Sequence, residues 1–281
     1  MLQTFLIMLR EGLEAALVVG ILVGYLVRTD KRTLLPQVWI GVATAAALSL
    51  AAGFLLTIVF EGLDTFRLQE AFGGTMSIVA VSFVTWMIFW MRRQSHLLKG
   101  EITGQLDRAV TFGSVAVVGC AFLAVGREGL ESALFLWPLF REAGSGIAPS
   151  IGAVLGLGVA IACGWLFYRG AVRLNLSTFF RVTGAALIVV AAGVLAYGIH
   201  DLQEASVLPG LHSIAFDVSE QMPASSWYGS IVKGIFNVSP QMTWLELAAY
   251  FLYLVPTMFL FARPVRRVAD HGVPARAPAT V

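Results

Sequence analysis

The residues able to do chemistry in this chain stand in two short matching runs. Arg10-Glu11-Gly12-Leu13-Glu14 and Arg127-Glu128-Gly129-Leu130-Glu131 share all five letters, and each lies within a long apolar stretch. On an α-helix Arg10 and Glu14 are four residues apart and Glu11 and Glu14 three, so the three charges share one side within about 100°. Arg127, Glu128 and Glu131 repeat that geometry. An ionised side chain at the centre of a membrane helix costs roughly 2.5 to 3.5 kcal/mol, whereas a strong apolar residue returns only about 0.3 to 0.6. Such charges persist where they face a protein interior or a wet cavity, paired with one another or with a passing ion. Four carboxylates at one depth, Glu11, Glu14, Glu128 and Glu131, would make an all-oxygen cage suited to a hard cation and unsuited to an organic anion. Arg10 and Arg127 would keep idle carboxylates ionised and oriented, and would limit the net negative charge so that the ion can leave. Two arginines do not neutralise four glutamates, which weighs against a static salt-bridge network. A proton relay through the same acids is the competing chemistry. Gly12 and Gly129 are expected to let the two motif helices approach each other closely.

The elements that carry these runs must be membrane helices. Of the 281 residues 58% are hydrophobic and only 13% charged, against about 25% charged in an ordinary soluble domain, and the mean hydropathy is +0.80. Segments of the ~20 residues needed to cross a bilayer account for nearly the whole length. The expected fold is an all-α integral membrane protein, one transmembrane domain over residues 1–281. Hydropathy and breakers place seven helices at 4–27, 36–60, 70–91, 111–140, 148–168, 181–200 and 244–262. The first apolar segment contains charges and follows Met1 without a basic stretch, so it reads as a retained helix and not as a cleaved signal peptide.

The chain also repeats itself. Phe5 to Leu17 aligns with Phe122 to Leu134 at an offset of 117. Ile40-Gly41 and Gly53 align with Ile151-Gly152 and Gly164 at an offset of 111, and Gly73 aligns more weakly with Gly184. A unit of three helices, an odd number, makes the second copy cross the membrane in the opposite sense, as in many secondary transporters. Two inverted three-helix repeats, about 1–110 and 111–205, would then be followed by an outer loop 201–243, an additional helix 244–262 and a cytoplasmic tail 263–281. Antiparallel first and fourth helices would bring the two motifs together.

Fourteen of the nineteen basic residues fall on one side of these spans, among them Arg28, Lys31, Arg32, Arg92, Arg93 and Arg169. That puts the N-terminus outside and the C-terminus in the cytoplasm. Arg263, Arg266 and Arg267 would anchor the last helix to lipid head groups. The opposite side holds Glu61, Asp64, Glu142, Asp201, Glu204, Asp217 and Glu220, an acidic face that would concentrate cations. The long outer segment from Asp201 to Thr243 could hold a short helix or dock a partner. A formal charge of +2 with scattered basic residues excludes a nucleic-acid binder. Neither HExxH nor GxSxG is present, so an intramembrane enzyme lacks its catalytic set. Cys120 and Cys163 have no metal-binding spacing and are expected to be buried inert thiols.

At the paired motifs the sequence resembles the oxidase-dependent iron transporter family of iron permeases, whose signature in the first and fourth helices is Arg-Glu-Gly-Leu-Glu. The stretch Gly198 to Ala205 is also similar to an acid-rich segment of that family, while Ser206 stands where Gly is expected. The resemblance extends over essentially the whole chain. It implies a permease of the cell's inner membrane that imports iron. It also implies that the motif glutamates are iron ligands, that Arg10 and Arg127 support them, and that a partner on the outer side oxidises or binds the iron, so that ferric iron is carried. Glu70, His200, Asp201 and Glu204 are secondary candidates as entrance ligands. No permanently bound cofactor is expected. Another divalent cation such as lead, or a different solute carried with protons, remains open, since ligand type alone does not choose the metal.

Overall fold

The computed structural model describes residues 1–94, 104, 106, 108–144, 146–169, 176–219 and 238–263. Seven helices of 19 residues or more dominate it: α1 Leu2–Arg28, α2 Leu35–Glu61, α3 Phe66–Gln94, α4 Ser114–Ala143, α5 Ala148–Tyr168, α6 Leu176–Glu204 and α7 Trp244–Ala262. All seven expected helices are present. The main differences lie in α3 and α6, which are longer at both ends, so Arg67, Asp201 and Glu204 are helical residues and not loop residues. Arg141 and Glu142 likewise belong to the last turn of α4. Five helices satisfy length and composition for a membrane span. The two that fail are α1 and α4, because every window of their sequence long enough to cross contains at least three charges, at least two of them from the motif. The chemistry of the motifs thus appears in the fold as a hydropathy defect, confined to the two helices that carry them.

The glycine contacts give the helix directions. Along α1 and α5, Gly152 lies against Thr4, Gly156 against Met8, and Gly164 against Ala16, so these two helices run parallel. Along α2 and α4, Gly41 lies against Ala121, Gly126 against Ala45, and Gly53 against Ala133, which is again parallel. Gly74 meets Leu202 while Gly184 approaches Ile88, so α3 and α6 are antiparallel. Since α1 turns back into α2 through a 3-10 turn at Arg32–Leu34, α4 runs against α1. The main packing pairs are α1 with α5, α2 with α4, α3 with α6 and α1 with α4, while α7 packs on α6. Exchanging α1, α2 and α3 for α4, α5 and α6 leaves this set of pairs unchanged, as an inverted repeat requires.

Small residues at every fourth position make this interlocking feasible. Gly152, Gly156, Ala160 and Gly164 form one stripe on α5 that receives α1, and Gly41, Ala45, Ser49 and Gly53 form the matching stripe on α2 that receives α4. In a lipid solvent close backbone approach takes the place of a hydrophobic driving force between helices. Hydroxyls within the helices, such as Thr44, Ser49, Ser82 and Ser132, bond to the carbonyl four residues earlier, so these groups do not meet hydrocarbon unsatisfied.

Two apolar clusters bracket the bundle. Ile7, Val81, Val84, Phe135, Leu187, Ile188 and Phe261 fill one side, and Leu22, Leu26, Val38, Val117 and Ala121 fill the end where α1 meets α2. Beyond α6, a short antiparallel pair, β1 Ile214–Asp217 and β2 Gln241–Thr243, lies at the acidic end in the register Phe216 to Met242. Among the described residues of the segment 201–243 the regular structure after α6 is therefore this strand pair and not a helix. Thr243 caps α7, its Oγ1 accepting from the Glu246 amide at 3.3 Å while donating to Gln203 Oε1 at 3.0 Å. Ser206 stands at φ +57, in the left-handed region that glycine occupies without strain, which explains why Gly is expected there. Cys120 and Cys163 are free and half-buried, less enclosed than expected. Arg266, Arg267 and the tail after residue 263 lie outside the described residues.

Candidate metal centre

The antiparallel crossing of α1 and α4 brings the two motifs to one level of the bundle. Carboxylate oxygens of Glu11, Glu128 and Glu131 all lie within 4.8 Å of one another. Glu11 is 1% and Glu131 8% exposed. Glu14 stands outside this trio, with its Oε1 3.2 Å from Arg10 Nε, while Arg10 Nη1 lies 3.5 Å from Glu11. Neither contact is aligned for a hydrogen bond: both oxygens of Glu11, Oε1 of Glu14, Oε2 of Glu131, and Nε and Nη1 of Arg10 are buried without one. Buried polar atoms are almost always satisfied. The clustered oxygens of Glu11 and Glu131 are acceptors that a cation could satisfy. Two arginines stand against four glutamates, leaving formally two negative charges for a cation to meet.

The motif glycines do something other than expected. The sequence suggested that Gly12 and Gly129 bring the motif helices against each other. Instead, a Cβ at Gly12 would meet Ala160 Cβ of α5 at 2.9 Å, and one at Gly129 would meet Ser49 Cβ of α2 at 2.9 Å. Each motif glycine thus presses its helix into the small-residue stripe of the other repeat. Ala160 and Ser49 are themselves repeat equivalents at the offset of 111. The glycine sets the depth of the helix in its groove, and the glutamates beside it inherit that position.

One turn from the trio, Ile7 and Phe135 enter the apolar layer with Val81, Val84, Leu187 and Val194, around a small apolar cavity. This layer separates the carboxylates from the acidic end of the bundle.

The secondary candidates divide into two groups. Glu70 of α3 and Asp201 of α6 both pair with Arg141 of α4, whose guanidinium also lies 5.0 Å from the Phe60 ring centre. A Cβ at Gly73 would occupy the space of that guanidinium. This triad ties three helices together at the acidic end. His200 Nδ1 lies 2.9 Å from Glu246 Oε1 of α7, and its Nε2 lies 3.4 Å from Glu204 Oε1. Sequence reasoning missed Arg141 as a partner, because it lies just past the expected helix 111–140, and missed Glu246, because an acid in the first turn of a helix reads as a dipole-complementing residue.

Comparison with known proteins adds three findings. The Iron permease FTR1 family matches residues 1–273. The chain is 41% identical over 269 residues to proteins named ferrous iron permease EfeU in Shigella sonnei and in Escherichia coli O157:H7, covering 95% of this chain and 97% of each relative. It is 40% identical over 278 residues to the protein of that name in Yersinia pestis, covering 98% of both. No solved structure matches the chain.

Proposed function

We infer the ligands and the route of the transported ion from one premise: the chain belongs to the iron permease FTR1 family and is an iron-uptake permease of the membrane. Iron is held during passage by Glu11, Glu128 and Glu131, with Glu14 kept beside them on Arg10 as a fourth carboxylate. The observation that carries this reading is the convergence of three buried carboxylates within 4.8 Å with oxygens that no protein donor satisfies. A static ion-pair network would leave no such surplus of acceptors. At the outer end Glu204 and His200, with Glu70 and Asp201 behind them on Arg141, form the entrance that attracts the ion. The charge census supports an N-terminus outside and a C-terminus in the cytoplasm of a cell inner membrane.

The ion presented to the chain is ferrous iron, on the ground that the relatives at 40–41% identity carry ferrous iron in their names. The all-oxygen donor set favours a second reading, ferric iron made by an oxidising partner on the outer side, since carboxylates suit the harder ion. Proteoliposomes containing the purified chain separate the two. Uptake of ferrous iron under anaerobic conditions supports the first, and uptake only after an oxidase is supplied supports the second. Glu128→Gln and Glu131→Gln are expected to abolish uptake of either ion while leaving the protein in the membrane. Wild-type uptake by both variants would refute the carboxylate cage.

A further inference from the structure

We propose that the run Trp86-Met87-Ile88-Phe89-Trp90-Met91 of α3 is a double cradle that positions both motif arginines and so sets how strongly they compete with the transported cation. The run repeats Trp-Met at a spacing of four, which places the two tryptophans on one helix face and the two methionines on the adjacent one. Each face receives one arginine. Arg10 directs Nη2 to Met87 Sδ at 2.7 Å and to Met91 Sδ at 3.4 Å. Arg127 lies with Cζ 4.0 Å from the centre of the Trp90 ring and 5.9 Å from that of Trp86, and the two indoles stack at 6.1 Å with an interplanar angle of 26°. Arg127 Nε at the same time donates to Glu131 Oε1 at 2.9 Å.

The chemistry of these acceptors matters more than their shape. An arginine cannot be neutralised inside a protein, so a cation arriving at the carboxylates must displace a guanidinium that remains charged. A thioether sulfur and an indole face are neutral and polarisable, and they steady a cation without cancelling its charge. They hold Arg10 and Arg127 beside the glutamates and accept them when the carboxylates turn to a metal ion. Leucine or phenylalanine at Met87 and Met91 would pack as well but would leave buried Nη2 without an acceptor. In the second repeat the equivalents at the offset of 111 are Tyr197, Gly198, Asp201 and Leu202, and Asp201 is engaged by Arg141. One helix of the first repeat therefore serves both motifs, and the two-fold relation is broken at this point.

The proposal rests on the reading that the motif glutamates bind iron. It is tested by anaerobic ferrous iron uptake into proteoliposomes containing the full chain, with KM and maximal rate measured separately. Trp90→Leu is expected to raise KM about three- to thirty-fold, the range for losing a cation–π contact at a partly desolvated site, and Trp90→Phe is expected to recover most of it. Met87→Leu with Met91→Leu should raise KM in the same way. In an Arg127→Gln background Trp90→Leu should have no further effect, which a merely structural role would not produce. An unchanged KM in Trp90→Leu, an equal rise in the Arg127→Gln background, or no recovery with Trp90→Phe would each overturn the cradle. If Glu128→Gln and Glu131→Gln keep the wild-type KM, the carboxylate reading fails and the cradle falls with it, so the two failures are told apart.

Discussion

Replacing Gly12 by alanine should impair transport although it improves the helix. Alanine is favoured over glycine inside a helix by about 1 kcal/mol, and by local propensity alone α1 would gain. The new Cβ, however, would stand 2.9 Å from Ala160 Cβ and 3.2 Å from Leu157 Cδ1. Leu157 can rotate, but the Ala160 methyl is fixed to the α5 backbone. Since carbon atoms rest at about 3.5 to 4.0 Å, α1 must withdraw from α5 by roughly 0.6 to 1.1 Å. Glu11 is the adjacent residue and moves with it. Metal–carboxylate distances tolerate only about 0.2 Å, so Glu11 would leave the position it shares with Glu128 and Glu131. A misplacement of ~1 Å commonly costs about a hundred-fold, and we expect iron uptake to fall roughly ten- to a hundred-fold. The assay is uptake per quantified amount of protein in proteoliposomes. Gly20→Ala is the control, because a Cβ there meets nothing within 4 Å. Ala160→Gly added to Gly12→Ala removes the fixed methyl and should restore transport. Wild-type uptake in Gly12→Ala, or no recovery in the double variant, would refute the account of the glycine as a depth gauge for Glu11.

Two further outcomes follow from the acidic end. Arg141→Met leaves Glu70 and Asp201, both buried, without their shared cation, and breaking a buried ion pair from one side costs about 3 to 5 kcal/mol; a large drop in thermal stability in detergent is expected, and an unchanged melting temperature would refute the triad as a tie between α3, α4 and α6. Ser206→Gly relieves a left-handed backbone that costs a side-chain-bearing residue roughly 1 to 2 kcal/mol at an entropic cost of about 0.5 to 1; a small rise in melting temperature with unchanged uptake is expected, and a fall would contradict the φ of +57.

Much of this architecture was legible because the bilayer makes periodicity blunt and length informative. Seven apolar segments predicted seven helices, with bounds missed by a few residues where amphipathic ends extend beyond the apolar core, as at Phe66 and Glu204. The matched motifs predicted an antiparallel crossing, and the α1 and α4 contacts have that sense. What went unread were contacts whose partners are distant in sequence: Ala160 beneath Gly12, Arg141 between Glu70 and Asp201, Glu246 beside His200, and Met87 at Arg10. The Trp-Met repeat at a spacing of four was visible as letters, but two tryptophans and two methionines on a membrane helix ordinarily face lipid or core.

The two Arg-Glu-Gly-Leu-Glu runs determined by themselves that charge would be buried in this bundle, because no lipid-facing helix carries three ionised groups at its middle. They also determined that the negative charge would be in excess. The tertiary structure alone decided how the excess is shared: Glu11, Glu128 and Glu131 converge, Glu14 stays with Arg10, and the motif glycines face the opposite repeat. The physical reason is that helical periodicity fixes which residues share a face, whereas the depth and rotation of one helix against another are set by the small-residue stripes of α2 and α5, which lie far from the motifs in the chain.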